Sequence, residues 1–352
     1  MSMRFLVTTP GDIQVQAIAE AVLDELKNIC AGAEIELVVI ADFHLKATYF
    51  ERRMNNMGLK NYKKIYYEKL TLEFMEKCRQ FQPDFILILG GVIDHARMME
   101  FLAQNRVILW LWDSYKRFSG LINIVRVSDE IFCFEYEDVS ELREKVNVPV
   151  EYLPLGANEK IYYPAKCERD VDISFVGAAY KDRIKLLEKV CARALEENWS
   201  VKIAGPFLEH RHLYKRLLFK LRNSHLSKFL WKNYCTPAEA ADLYRRSKIC
   251  LNLNTIGHHS LSPRTFEICA TQSFQLMNGG QKSHGLMNLE TDLVTSDGVE
   301  DLLAKIEFYL AHDELREKIA RAGYESVMAN CTLKKSVAKL AADSGIFREA
   351  AR

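Results

Sequence analysis

Residues 252–280 read NLNTIGHHSLSPRTFEICATQSFQLMNGG. The stretch opens where a short apolar run, 248–251, reaches its carboxyl end. A polar loop follows, with Gly257, the pair His258-His259, and Ser262-Pro263-Arg264. The helical segment after it carries Arg264 and Glu267, three residues apart and therefore on one face. A second apolar run, 273–277, ends in Asn278-Gly279-Gly280. The order is strand, loop, helix, strand, glycine loop. Ligands of open α/β sheets bind outside the carboxyl ends of the strands, and two such ends meet here.

The same alternation runs through the rest of the chain. Toward the amino end, continuous apolar runs at 3–8, 35–40, 85–89 (FILIL), 107–112 (VILWLW), 130–134 and 150–153 have the composition of buried parallel strands. Helical patterns over 15–29, 66–81 and 98–104 separate them, and 44–61 fits neither pattern clearly. A turn-rich connector at 154–164 marks a hinge. Beyond it, strands are expected at 171–176, 201–204, 229–233 and 293–294. Helices are expected over 182–197, 237–246 (capped by Thr236), 299–310, 314–328 and 332–342. This predicts an α/β protein with two doubly wound Rossmann-like domains, 1–155 and 156–352, facing across a cleft. The last helix, about 332–345, would pack back on the first domain.

Composition narrows the function. Of 352 residues, 49% are apolar and 27% charged, and the net charge is +1, which supplies no global field for nucleic acid or a membrane. The nine cysteines include no C-x-x-C pair, and several lie in apolar runs, as free thiols in a reducing compartment do. With no membrane-length apolar run and no signal-peptide pattern, a cytoplasmic protein is expected. The segment 210–232 stands apart, with seven Lys/Arg and no acid among its leucines and aromatics. It reads either as a solvated helix whose apolar stripe packs on the domain, or as a basic amphipathic surface for a polyanionic acceptor or for anionic lipid, in peripheral contact with the inner face of a membrane.

Glycines and acid/base groups gather at strand ends. Gly11, Gly90 and Gly91 follow strands of the first half, near Asp12, Asp94, His95 and Asp113, each of which also serves as an ordinary cap or turn residue. In the second half, Gly177, Lys181 and Arg183 follow one strand, Gly205 another, and Arg264 opens a helix. Phosphates need backbone N–H groups at glycine turns and helix starts together with cations, and a ribose needs a carboxylate such as Glu267. No His/Cys/Asp cluster has metal-ligand spacing, so no metal or other cofactor is expected.

These residues resemble the CgeB-type branch of the GT-B glycosyltransferases. The matching pieces are YLPLGANEKIYYP at 152–164, DISFVGAAYKDR at 172–183, IAG at 203–205, SPRTFEICA at 262–270 and YLAHDELREKIARAGYESV at 309–327. The resemblance implies a GT-B fold with an acceptor-side first domain and a second domain holding a nucleotide-sugar donor, linked to UDP, GDP or TDP. It implies transfer to a hydroxyl of a glycan, lipid-linked glycan or protein without a bound metal, with an epimerase, a hydrolase or a non-catalytic nucleotide-sugar-binding protein as alternatives. Glu267 matches the glutamate that holds the ribose in related retaining enzymes, with Arg183 and Arg264 near the diphosphate. Asn254, Asn278 and Gly279 would complete the donor pocket. Those relatives carry a second glutamate eight places earlier, where this chain has His259. Either His259 or Ser260 touches the sugar in its place, or the donor differs from that of the two-glutamate enzymes, so retention, the outcome in those relatives, and inversion both stay open. Inversion would need a base from the first domain, Asp12 or His95.

Overall fold

The structure is a computed structural model and describes residues 3–9, 13–40, 60–118, 120–208, 213–254 and 259–345. The chain forms two compact units, Met1–Leu155 with Leu333–Arg352, and Gly156–Thr332.

The first unit is built on an all-parallel sheet of β1 (Arg4–Thr9), β2 (Glu34–Val39), β3 (Phe85–Leu89), β4 (Val107–Leu111), β5 (Glu130–Cys133) and β6 (Val150–Tyr152), in the order β2-β1-β3-β4-β5-β6. FILIL and VILWL are buried at every position because helices cover both faces. The helices are α1 (Ile13–Ile29), α2 (Lys60–Phe81), α3 (Ala96–Leu102), α4 (Leu121–Arg126) and α5 (Tyr136–Arg143). Helix α2 starts at Lys60, six residues before its apolar periodicity begins, since lysine is itself a good helix former. Helix α12 (Leu333–Asp343) also belongs to this unit. Its Leu333, Val337 and Leu340 lie on one stripe and pack in a core with Val7, Leu26, Trp110 and Leu153. Burying each such leucine contributes about 1.5–3 kcal/mol.

The second unit has the order β12-β11-β10-β7-β8-β9, again parallel throughout. Its strands are β7 (Val171–Val176), β8 (Val201–Ala204), β9 (Leu230–Lys232), β10 (Ser247–Asn252), β11 (Gln275–Asn278) and β12 (Val294–Ser296). Its helices are α6 (Lys181–Glu197), α7 (Leu213–Arg222), α8 (Pro237–Arg245), α9 (Pro263–Ala270), α10 (Gly298–Leu310) and α11 (Asp313–Asn330). Thr236 caps α8 in a full capping box with Glu239. Near the junction with the first unit, the Ala157 N–H donates to the Cys331 carbonyl at 2.8 Å. Gly156 sits there at φ +71°, and a Cβ would lie 2.6 Å from the carbonyl carbon of Thr332, so no side chain fits. Helix α7 differs from its neighbours in burying none of its residues. The expectation that its leucine stripe packs on the domain is therefore wrong. Only Phe219 turns inward, half-buried against Phe207 at 6.5 Å between ring centroids.

Candidate functional site

Strand order places the topological switch of the second unit between β7 and β10. The loops leaving those two strands diverge to opposite sides and leave a crevice, where ligands of open α/β sheets bind. Three sequence-predicted groups meet there. Gly177 follows β7, and its N–H donates to the Ala204 carbonyl at 2.9 Å. Gly205 follows β8 at φ +153°, and a Cβ on it would stand 2.0 Å from the Gly177 carbonyl oxygen. Gly205 is dictated by this contact with backbone, whereas a Cβ on Gly177 would meet the Phe175 ring at 2.9 Å. A Cβ on Gly177 would also lie 3.4 Å from the guanidinium carbon of Arg264, so the missing side chain leaves room for that cation.

Arg264 and Glu267 share the first turns of α9 yet form no direct ion pair with each other. Arg264 lies beside the hydroxyl of buried Tyr244, while its Nε is buried with no partner. The hydroxyl of Tyr162 lies beside Glu267. Desolvation pushes the Glu267 carboxyl up, offset in part by the Arg264 charge and the Tyr162 hydroxyl. Burial pushes the Tyr162 phenol well above its ordinary range, helped by the Glu267 charge, so the proton stays on the tyrosine oxygen. A cation short of hydrogen bonds and a carboxylate held at a desolvation cost thus stand one turn apart at the mouth of the crevice.

The loops around this pair are pinned. The Asn254 N–H donates to Asn278 Oδ1 at 2.6 Å, and Asn278 Nδ2 donates back to the Asn254 carbonyl at 3.1 Å, fastening the end of β10 to the end of β11. The Asn254 side-chain amide nitrogen is itself buried without a partner. Arg183 donates to the carbonyls of Leu253 and Ala178, bridging the two loops of the switch, and its guanidinium lies 5.0 Å from the Tyr180 ring centroid. It is a brace across the crevice, buried to 7% exposure. Lys181 is exposed at the first position of α6. Neither α6 nor α9 has a side-chain cap bond on its N-terminal turn, so N–H groups of both remain for a ligand. Gly279 donates to the Ser296 carbonyl at 2.8 Å and borders a recess of about 510 Å³ that Leu186, Ser296 and Lys305 also line.

His259 is exposed, with its carbonyl accepting from the Lys282 N–H at 2.7 Å. The loop before α9 thereby runs beside the loop after β11. His258 and Asp12 lie outside the described residues. His95 is in the first unit, preceding α3, with Nδ1 buried and unpartnered. Asp113 accepts from the Ser114 N–H at 2.9 Å and Arg117 Nη1 at 2.7 Å, and Asp94 from Asn123 Nδ2 at 3.0 Å.

The sequence reading missed four contributors. Tyr162 stands within the segment 152–164 and Tyr244 late in α8, and no periodicity ties either to Glu267. Asn252 and Gln275 end and begin buried strands. Asn252 Nδ2 donates to Thr265 Oγ1 at 2.9 Å and Gln275 Oε1 at 3.2 Å, setting α9 against the sheet. A polar residue inside an otherwise apolar strand was the available signal, since burial without a partner is costly.

Two parallel doubly wound sheets with this switch-point site define a GT-B α/β protein. Residues 183–342 match the family described as glycosyl transferase-like. The spore protein CgeB of Bacillus subtilis (strain 168) is 23% identical over 291 residues, covering 78% of this chain and 87% of that protein. The sucrose-phosphate synthase of Thermosynechococcus elongatus superposes with a TM-score of 0.70 at 12% identity over 99% of both chains. HepE of Anabaena in complex with UDP-glucose gives 0.67 at 10% identity, over 97% of this chain and all of that one (100%). The chain is thus similar to glycosyl transferase-like proteins over residues 183–342 and to CgeB over most of its length. Among the described residues no helix is long and apolar enough to cross a membrane.

Proposed function

We propose that the protein transfers a sugar from a nucleoside-diphosphate donor, held at the switch point of its second unit, to a hydroxyl acceptor. The observation that carries this reading is Arg264. A cation with a buried, unpartnered Nε, set against the side-chain-free backbone of Gly177, matches an oxyanion carrying more than one negative charge. The uncapped starts of α6 and α9 and exposed Lys181 add donors around it. In this reading Arg264 stabilises the diphosphate as charge develops on departure, and Glu267 accepts from the ribose hydroxyls. Asn254, through its free amide, and Asn278 and Gly279, through the loop they fix, shape the sugar side of the pocket. HepE bound to UDP-glucose supports a nucleotide-sugar donor. We assign the acceptor hydroxyl to the first unit and the activating cations to the protein's own side chains.

Titration calorimetry with UDP, GDP and TDP tests the donor site. At least one should bind, and Arg264→Ala should weaken it about tenfold or more while leaving the melting temperature of the free protein nearly unchanged. No binding of any nucleoside diphosphate would overturn the reading. The match of Glu267 to retaining relatives supports retention at the anomeric carbon, which NMR of the fresh product reads directly.

A further inference from the structure

Helix α7 carries the most exposed leucines among the described residues. Leu213, Leu217 and Leu221 are 79%, 60% and 68% exposed, and Tyr214 and Leu218 flank them at 59% and 43%. Their spacing of i, i+4 and i+8 lines them along one stripe. At about 100° per residue this stripe is centred opposite Phe219, the residue that holds the helix to the domain through Phe207. The helix is thus attached by one edge and presents its leucines outward. Apolar exposure this contiguous marks an interaction surface.

The charges are arranged around that stripe. Arg216 and Lys220 border it on one side, and Arg222 and Lys215 follow on the other side beyond Tyr214 and Leu218, toward the face of Phe219. No acidic residue occurs anywhere from 213 to 232. Lys215, Lys220 and Arg222 have no acidic partner among the described residues, whereas some partly exposed basic side chains of the second unit are paired, as in Arg193–Glu307, Arg246–Asp170 and Lys248–Asp172. A second copy of this chain docking face to face would set the same basic rim against itself, which opposes association. A nucleic acid would answer the cations and leave the leucines in water. A surface that is apolar inside and negative outside answers both.

We propose that α7 is an interfacial anchor that lies in the surface of an anionic phospholipid membrane, with Leu213, Leu217 and Leu221 among the acyl chains and the flanking Lys and Arg at the headgroups. The proposal rests on α7 alone and stands whether or not sugar transfer is the reaction.

Flotation of the full-length protein with vesicles of phosphatidylcholine, with and without phosphatidylglycerol, tests it. The protein should float with the anionic vesicles, stay behind with the neutral ones, and be released progressively by salt. Leu217→Asp with Leu221→Asp should abolish flotation, and Lys220→Ala with Arg222→Ala should weaken it about tenfold. All four side chains are exposed, so melting curves should not move, and light scattering should find the native protein and both variants in the same oligomeric state. Absence of flotation with anionic vesicles, equal flotation of the aspartate variant, or a native dimer that this variant turns into monomer would each overturn the proposal.

Discussion

The two sheets share strand polarity and a switch point, yet their carboxyl edges are satisfied differently. At the edge of the first unit, the two described aspartates are paired. Asp113 is held by Arg117 and Ser114, and Asp94 by Asn123. Among the described residues, the groups that remain there without partners are the hydroxyls of Thr8 and Thr9, Nδ1 of His95 and Nε1 of Trp112. The edge of the second unit keeps part of a cation unpartnered, at Arg264, and a carboxyl under desolvation, at Glu267. Unpartnered buried polar atoms cost stability, so each edge is shaped for something it does not itself contain. Neutral donors and acceptors suit a hydroxyl-bearing molecule, whereas an under-bonded guanidinium suits a phosphate. The contrast is the structural content of the assignment of acceptor to one unit and donor to the other.

The largest test of this contrast is steric. Gly205→Ala should cost roughly 3 kcal/mol or more, because the new Cβ would collide with the Gly177 carbonyl at a backbone angle that disfavours side chains. Gly32→Ala, in open space, is its control, and urea denaturation measures both. Next comes Arg264→Ala, whose expected loss of about tenfold or more in nucleoside-diphosphate affinity should have no counterpart in Arg117→Ala, a change at the other edge that should leave donor binding within about twofold. Equal losses in the two would erase the distinction.

A smaller effect carries a pH signature. Glu267 is raised in the folded protein, so its ionised form burdens the fold above its folded pKa, and the burden disappears at acid pH where the group is protonated in both states. Glu267→Gln should therefore melt higher than the native protein near neutrality, with the gain shrinking as the pH falls, while donor affinity drops. A melting temperature that falls at neutral pH would mean that the carboxylate supports the fold rather than the ligand. The smallest expected change is Thr8→Val, which removes a buried hydroxyl that has no partner and should be neutral or stabilising by up to about 1 kcal/mol, with donor binding unchanged.

Much of this was legible along the chain. FILIL and VILWL are strands because only a strand covered on both faces is apolar at every position, and the glycine after β8 marks an end where backbone approaches backbone. The resemblance of 262–270 singled out Arg264 and Glu267. Other features could not be read in one dimension. Tyr162 and Tyr244 meet the α9 pair only through tertiary packing, and the unpartnered state of Arg264 Nε is a statement about what is missing around it. Arg183, read as a diphosphate ligand, proves to span two loops of the switch, a role that depends on carbonyls far from it in sequence. Helix α7 is the clearest case. Its amphipathic pattern is plain in the sequence, but the pattern is the same whether the leucines face a core or face water.

Local periodicity, turn chemistry and composition thus determined the elements, their alternation and the residue types at the strand ends. Side-chain direction and the identity of neighbours were decided by how the parallel strands were ordered, since strand order, not sequence distance, brings the β7 and β10 loops together. That ordering brought Gly177, Arg264 and Glu267 together at the switch point and left α7 facing outward.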